Sequence, residues 1–336
     1  MDTSNAQDIL CLAAQGVFSA GGTVTEPLEG EYNPVLGWKD PTGAGNTSHV
    51  DHANVFYQLP AGESGHPIVY LHGHGQSRVC WQGTPDGREG WSDLFLKLGH
   101  AAFLVDQPRR GAAGMTAELS NSPMDLFPGT SCYVRGDQAM YTHFRIGRVL
   151  PERYEGSQFP EGEAALDQFL RQMTPNTGNF NGLVCVQAIG AVLRRVREMT
   201  GKKSILLTHS QSGMIGWAAN AEHLAALVAI EPGGVPKAAS PQYKALLEAK
   251  IPIAIYFGDY IDNAPQELTS VRIWKLMRDS ALAFAEQFRA DGGECTVFQL
   301  PEEGIRGNSH FMFQELNNKE IAAHVEAWLR AHAFAK

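Results

Sequence analysis

No long apolar run interrupts the sequence, and a membrane-spanning helix needs about 20 such residues in succession. Lysine and arginine form no run either. They number 27 against 36 Asp and Glu, a formal net charge of −9. A binder of the phosphate backbone needs a basic face, so no nucleic-acid partner is expected. Charged residues make only 19% against 43% hydrophobic, too apolar for an extensively disordered chain. The five cysteines, Cys11, Cys80, Cys132, Cys185 and Cys295, are scattered, odd in number and without metal-ligand spacing, and they read as free or buried thiols. Met1 to Gly22 lacks the basic start and continuous apolar segment of a signal peptide. A cytoplasmic enzyme is the expectation, a leader already removed being compatible with the same sequence. The 336 residues suit one large α/β domain with an insertion, or two domains.

The informative stretch is Ser204-Ile-Leu-Leu-Thr-His-Ser-Gln-Ser-Gly-Met-Ile-Gly216. It reads as a short apolar strand over 205–207, a sharp turn topped by Ser210, then a helix beginning near Gly213 and running over 214–223. Such a strand–turn–helix, usually written G-x-S-x-G, holds a serine on strained backbone with its oxygen exposed above a sheet. Here the five residues are Thr208-His209-Ser210-Gln211-Ser212, and neither outer glycine is present. Ser212 is small enough for the helix to pack closely, but Thr208 is β-branched and crowds the turn. The alternative is a serine that merely caps a helix. A base, an acid and an oxyanion hole elsewhere in the chain decide between the two.

Each has a candidate. Residues 67–75, Pro-Ile-Val-Tyr-Leu-His-Gly-His-Gly, join a strand buried on both faces to a glycine-rich loop. A backbone N–H of that loop is the second oxyanion donor in this arrangement, and glycine lets the backbone approach a substrate. His74 supplies that N–H, and Gln211, the residue after the serine, supplies the other. A metal pair at His72 and His74 has no acidic neighbour in sequence, and neither metal nor cofactor is expected. Trp81 is either a wall of the acyl pocket or plain packing. Glu231 ends a strand over 227–231 that Pro232 cannot continue. Asp259 and Asp262 follow the next strand, so three carboxylates compete for the Nδ1–H of a catalytic histidine. His310, in Gly307-Asn-Ser-His310 after the last strand at 295–300, is the one histidine of 12 in the position of a base.

The remaining pattern is α/β. Residues 53–59 read as an antiparallel edge strand, and 101–106 as another buried strand. Strands alternating with helices imply right-handed crossovers and a parallel sheet. Helices are expected over 92–98, 136–146, 163–173, 183–199 and 317–332. Over 111–181 the alternation stops amid prolines and aromatics. An insertion there lies at the C-terminal edge of the sheet, where ligands bind. It is expected to be a lid or cap, or else a packing or oligomerisation insert, between core segments 1–110 and 182–336.

These residues resemble the α/β-hydrolase superfamily over about 67–328, and the chain order Ser210, acid, His310 is that fold's order. More narrowly, the chain is similar to a bacterial serine carboxylesterase subgroup in six segments taken in order. They are His72-Gly73, residues 84–91, residues 105–111 (Val-Asp-Gln-Pro-Arg-Arg-Gly), residues 209–213, residues 230–233 and residues 307–310. The resemblance implies an α/β-hydrolase fold, with a mostly parallel central sheet, flanking helices and a lid or cap. It implies a homodimer, no cofactor, and Glu231 as the acid in preference to Asp259. The subgroup's best-known member has two adjacent cysteines after His-Gly where this chain has His74 and Gly75, so nothing that depends on those cysteines carries over. The implied activity is hydrolysis of a small-molecule carboxylic ester or lactone. Two other uses fit the same residues: C–C bond cleavage or a cyclisation in natural-product assembly by the same triad, and a ligand receptor on the same fold.

Overall fold

Short runs of β-branched, aliphatic and aromatic residues recur between helical segments, and in the computed structural model eight of them pair into one sheet. Residues 9–62, 64–117 and 136–335 are described. In chain order the elements are β1 (Leu12–Ala20), β2 (Thr23–Val24), β3 (His49–Val50), β4 (Ala53–Pro60), β5 (Ile68–Leu71), α1 (Trp91–Lys97) and β6 (Ala102–Asp106). Then come α2 (Asp137–His143), α3 (Glu163–Arg171), α4 (Gly182–Thr200), β7 (Ser204–His209), the four-residue α5 (Gly213–Gly216) and β8 (Leu224–Ile230). The chain closes with α6 (Pro241–Glu248), β9 (Ile253–Phe257), α7 (Thr269–Ala290), β10 (Cys295–Gln299) and α8 (Asn318–Ala331).

The sheet order is β1-β4-β6-β5-β7-β8-β9-β10, with β2 and β3 a separate ribbon. β4 pairs antiparallel with both β1 and β6. From β6 to β10 every neighbour is parallel. Strands buried on both faces need no alternation of polar residues, and β5, β6, β7, β8 and β9 are buried at every position. Their side chains still divide by parity. Ile68, Tyr70, Ile205 and Leu207 join the core beneath α1 and α8, while Val69, Leu71, Leu206 and Leu227 join that beneath α4, α6 and α7. No helix among the described residues is long and apolar enough to cross a membrane.

Register explains where chemistry can gather. Leu71 pairs with Thr208, His209 with Ile230, and Phe257 with Gln299. The C-terminal ends of β5, β7, β8, β9 and β10 therefore open on one edge, and the loops carrying His74, Ser210, Glu231, Asp259 and His310 all leave from it.

The helix expected over 214–223 is shorter. Residues Ser210–Ser212 form a 3-10 turn, α5 ends at Gly216, and a second 3-10 turn occupies Ala221–His223. The break falls at Asn220, which is extended and whose side chain accepts from the Glu222 N–H, capping the new turn. In the described part of 111–181, Met140, Phe144, Phe159 and Phe169 sit in the same buried cluster as β5, β7 and α8.

Candidate active site

Ser210 stands at φ 54°, and Glu231, one strand away, at φ 43°. A non-glycine residue in this region costs about 1–3 kcal/mol, and a sheet-edge turn tight enough to lift a serine is where such strain collects. The turn closes without its outer glycines because others make room. A Cβ on Gly216 would lie 2.8 Å from Thr208 Cγ2, and one on Gly213 would lie 2.7 Å from Pro232 Cβ. The crowding expected from Thr208 is thus relieved from the helix side. Ser212 Oγ accepts from His209 N at 2.9 Å and lies 3.0 Å from Leu71 O and 2.9 Å from His209 O, locking the turn to β5.

His310 is fully buried. Its Nδ1 lies 2.6 Å from Glu231 Oε2, while its Nε2 is buried with no hydrogen-bond partner among the described residues. Since a carboxylate can only accept, Nδ1 carries the proton and Nε2 presents a lone pair. His209, the residue before the serine, holds the loop by bonding His310 O through Nε2 at 3.0 Å. The Trp274 and Phe144 rings lie 4.1 and 5.5 Å from the imidazole. Burial lowers the pKa of His310, Glu231 partly opposes that, and Arg145 adds to it. The ring is therefore neutral at neutral pH.

Glu231 Oε1 accepts from Gly258 N at 2.8 Å and from Arg145 Nη2 at 2.5 Å. Burial pushes its carboxyl upward, but the Arg145 charge and the bond from His310 outweigh burial and leave it at about 2. The other two carboxylates have different work. Asp259 accepts from Tyr260 N, Asn263 Nδ2 and Gly307 N at 2.8–3.0 Å. Asp262 is exposed and paired with Lys275 and Arg278. Glu315 steadies the histidine loop from below, accepting from Ser309 N and Asn308 Nδ2 at 2.9 and 2.7 Å.

A cavity of about 820 Å³ opens over Ser210 and is lined in part by His74, Gln211, Met214, Ile273 and Trp274. Trp81 is not in its wall. It is fully buried and stacks on Phe313 at 4.1 Å. Arg145, which sits between Glu231 and the Asp259 carbonyl (Nε to O 3.1 Å), belongs to no motif, and nothing in the sequence singled it out. His209 lies within a quoted segment, but its role depends on a contact 101 positions away. Among the described residues no group of three or more His, Cys, Asp or Glu is placed to hold a metal ion.

No family model matches the chain. Over 312 residues, 79% of this chain and 82% of the relative, it is 27% identical to a protein of a fungal species (strain ATCC 74256) described as a probable secreted lipase. Among solved structures it is similar to one described as a novel bacterial esterase, with 28% identity, a TM-score of 0.78 and coverage of 97% of this chain and 98% of that one.

Proposed function

We propose that this chain, whose fold is that of the α/β-hydrolases, is a carboxylic ester hydrolase that works through Ser210, His310 and Glu231. One observation carries the reading: a strained, cavity-facing serine follows His209, which grips a buried histidine whose Nδ1 is engaged by a carboxylate and whose Nε2 has no partner among the described residues. Ser210 Oγ attacks the carbonyl carbon of an ester or lactone as His310 Nε2 takes its proton. Glu231 stabilises the imidazolium by charge. The N–H groups of His74 and Gln211 receive the oxyanion, an arrangement worth about 3–4 kcal/mol per donor where one has been removed. His310 then protonates the leaving alkoxide, and water, deprotonated by the same ring, releases the acid from the acyl-serine. No step calls for a cofactor.

The esterase and lipase descriptions of the two relatives support ester chemistry over C–C cleavage. Residues 136–181 supply nearly half of the cavity lining, Met140, His143, Asn176 and Phe180 among them, which supports a cap that shapes substrate choice. A cytoplasmic location, a homodimer and the absence of a nucleic-acid partner complete the reading; cell fractionation and sedimentation test the first two. Hydrolysis of p-nitrophenyl acetate, butyrate and octanoate tests the chemistry. Wild type should turn over, Ser210→Ala should lose at least about 10⁴-fold in kcat, and Glu231→Gln about 10²–10⁴-fold. A wild type inert to all three esters would sink the hydrolase reading, and a near-normal Glu231→Gln would remove Glu231 from it.

A further inference from the structure

The Gly73–His74 peptide decides whether His74 can serve an oxyanion. In a planar trans peptide the carbonyl and the following N–H point opposite ways, so whatever holds Gly73 O also aims the His74 N–H. Two donors hold it: Arg110 Nη1 at 3.2 Å and His72 Nδ1 at 3.0 Å. The same Nη1 donates to Gln76 O at 3.0 Å, so one guanidinium spans the loop. A backbone N–H can only donate, and Gln107 N donates to His72 Nε2 at 3.3 Å. With Nε2 accepting, the His72 proton sits on Nδ1, which lies 3.0 Å from Gly73 O and 3.0 Å from Gln107 Nε2. Burial, then the Arg110 charge, brings the pKa of His72 down to about 3, which keeps the ring in that neutral form. Gln107 Nε2, beside the same ring nitrogen, donates to His72 O at 2.7 Å.

Arg110 is an unusual choice for this task. It is buried, and no carboxylate is ion-paired with it among the described residues. The neighbouring Asp106 is occupied by Arg78 and by the Ala112 N–H. Burying a charge with no ion partner is expensive, and here the guanidinium serves two loop carbonyls. The loop lies against the nucleophile: a Cβ on Gly73 would fall 3.0 Å from Ser210 Cβ and 2.8 Å from His209 Nδ1.

We infer that Arg110, assisted by His72, is a positioning residue for the oxyanion hole: by holding Gly73 O inward it keeps the His74 N–H turned toward Ser210. The inference rests on the serine-hydrolase reading. With the peptide reversed, a carbonyl oxygen would face the developing oxyanion and repel it.

The test compares wild type, Arg110→Met and Arg110→Lys in p-nitrophenyl butyrate kinetics and in inhibition by an alkyl trifluoromethyl ketone. That ketone adds to a reactive serine and leaves an oxyanion in the hole, so its Ki follows transition-state affinity. Arg110→Met should lower kcat by roughly 10–100-fold, less than deletion of a donor outright. KM should stay within about threefold, and the ketone Ki should rise in proportion to the loss of kcat/KM. Arg110→Lys keeps the charge but presents no planar fork to two carbonyls, and it should fall between. Should Arg110→Met fail to fold, Arg110→Lys and His72→Phe carry the same comparison. A folded Arg110 variant with unchanged Ki overturns the inference, as does a kcat loss matched by KM and melting temperature while Ki stays put. A wild type inert to esters overturns the hydrolase reading and this inference together, whereas an active wild type whose Arg110 variants bind the ketone normally overturns the inference alone.

Discussion

A carboxyl walled off from water resists ionisation, and Glu231 is ionised because Arg145, just after α2, faces it. Burial alone would raise its pKa; the guanidinium charge and the His310 bond bring it to about 2 instead. The same guanidinium, together with burial, lowers the pKa of His310. Both effects extend activity toward acid, because the base must be neutral and its partner charged. The acidic limb of kcat/KM in wild type should therefore fall below the ordinary histidine value of about 6.5. In Arg145→Met, burial acts on Glu231 opposed by the His310 contact but no longer by the guanidinium, and His310 loses a repelling charge, so both groups protonate at higher pH. The limb should move upward by about one unit or more in a pH–rate profile with p-nitrophenyl butyrate. A limb that stays where it was would reduce Arg145 to packing under the Trp274 ring, 5.4 Å from its guanidinium carbon. None of this is legible in sequence. Arg145 and Glu231 are 86 positions apart, and a lone arginine in an irregular stretch carries no signal of where its side chain will end.

The turn that lifts Ser210 raises a different question: how a strand can end in threonine where this geometry favours glycine. Thr208 Cγ2 fits because Gly216, eight residues on, has no side chain. Exchanging glycine for alanine inside a helix ordinarily stabilises by about 0.5–1 kcal/mol. Gly216→Ala should instead destabilise by about 1–3 kcal/mol, the range for overpacking a filled core. Thr208→Ser, which deletes the opposing methyl, should recover part of that loss. A urea-denaturation double-mutant cycle measures the coupling, and strictly additive effects would break the pairing. At this scale the sequence is a partial guide. The elbow, the strands β5 to β10 and the helices α1 to α4 and α8 were readable because continuous apolar runs and a 3.6 period leave a local signature. The 22-residue α7 went unanticipated, although Ala281, Phe284, Ala285 and Phe288 bury one of its faces. The 84–91 segment was visible as a motif without its purpose. Arg88 reaches the carbonyls of Gln314, Glu315 and Leu316 and braces the far side of the histidine loop, a contact no local pattern encodes.

For the molecule as a whole, cavity and surface charge act in the same direction. The described residues lining the cavity over Ser210 include no Asp, Glu, Lys or Arg, and Phe180, Met214, Ile273, Trp274 and Met277 form much of its wall. A carboxylate entering it would shed water with no cation among the described lining residues to receive it, and an unpaired buried charge is strongly disfavoured. The chain's formal charge of −9 adds a long-range repulsion that slows the approach of anions. Neutral esters should be preferred, and p-nitrophenyl butyrate against p-nitrophenyl hemisuccinate makes the comparison with nearly equal chain length. The hemisuccinate should show a kcat/KM lower by about tenfold or more, since one uncompensated charge easily exceeds the 1.4 kcal/mol that a factor of ten represents. Salt separates the two causes. At about 1 M the Debye length shrinks to roughly 3 Å, which removes long-range repulsion while leaving desolvation inside the cavity untouched. Partial recovery at high salt is therefore the expected outcome. Complete recovery would assign the discrimination to net charge alone, and equal rates at low salt would mean that the cavity holds a counter-charge for anionic substrates.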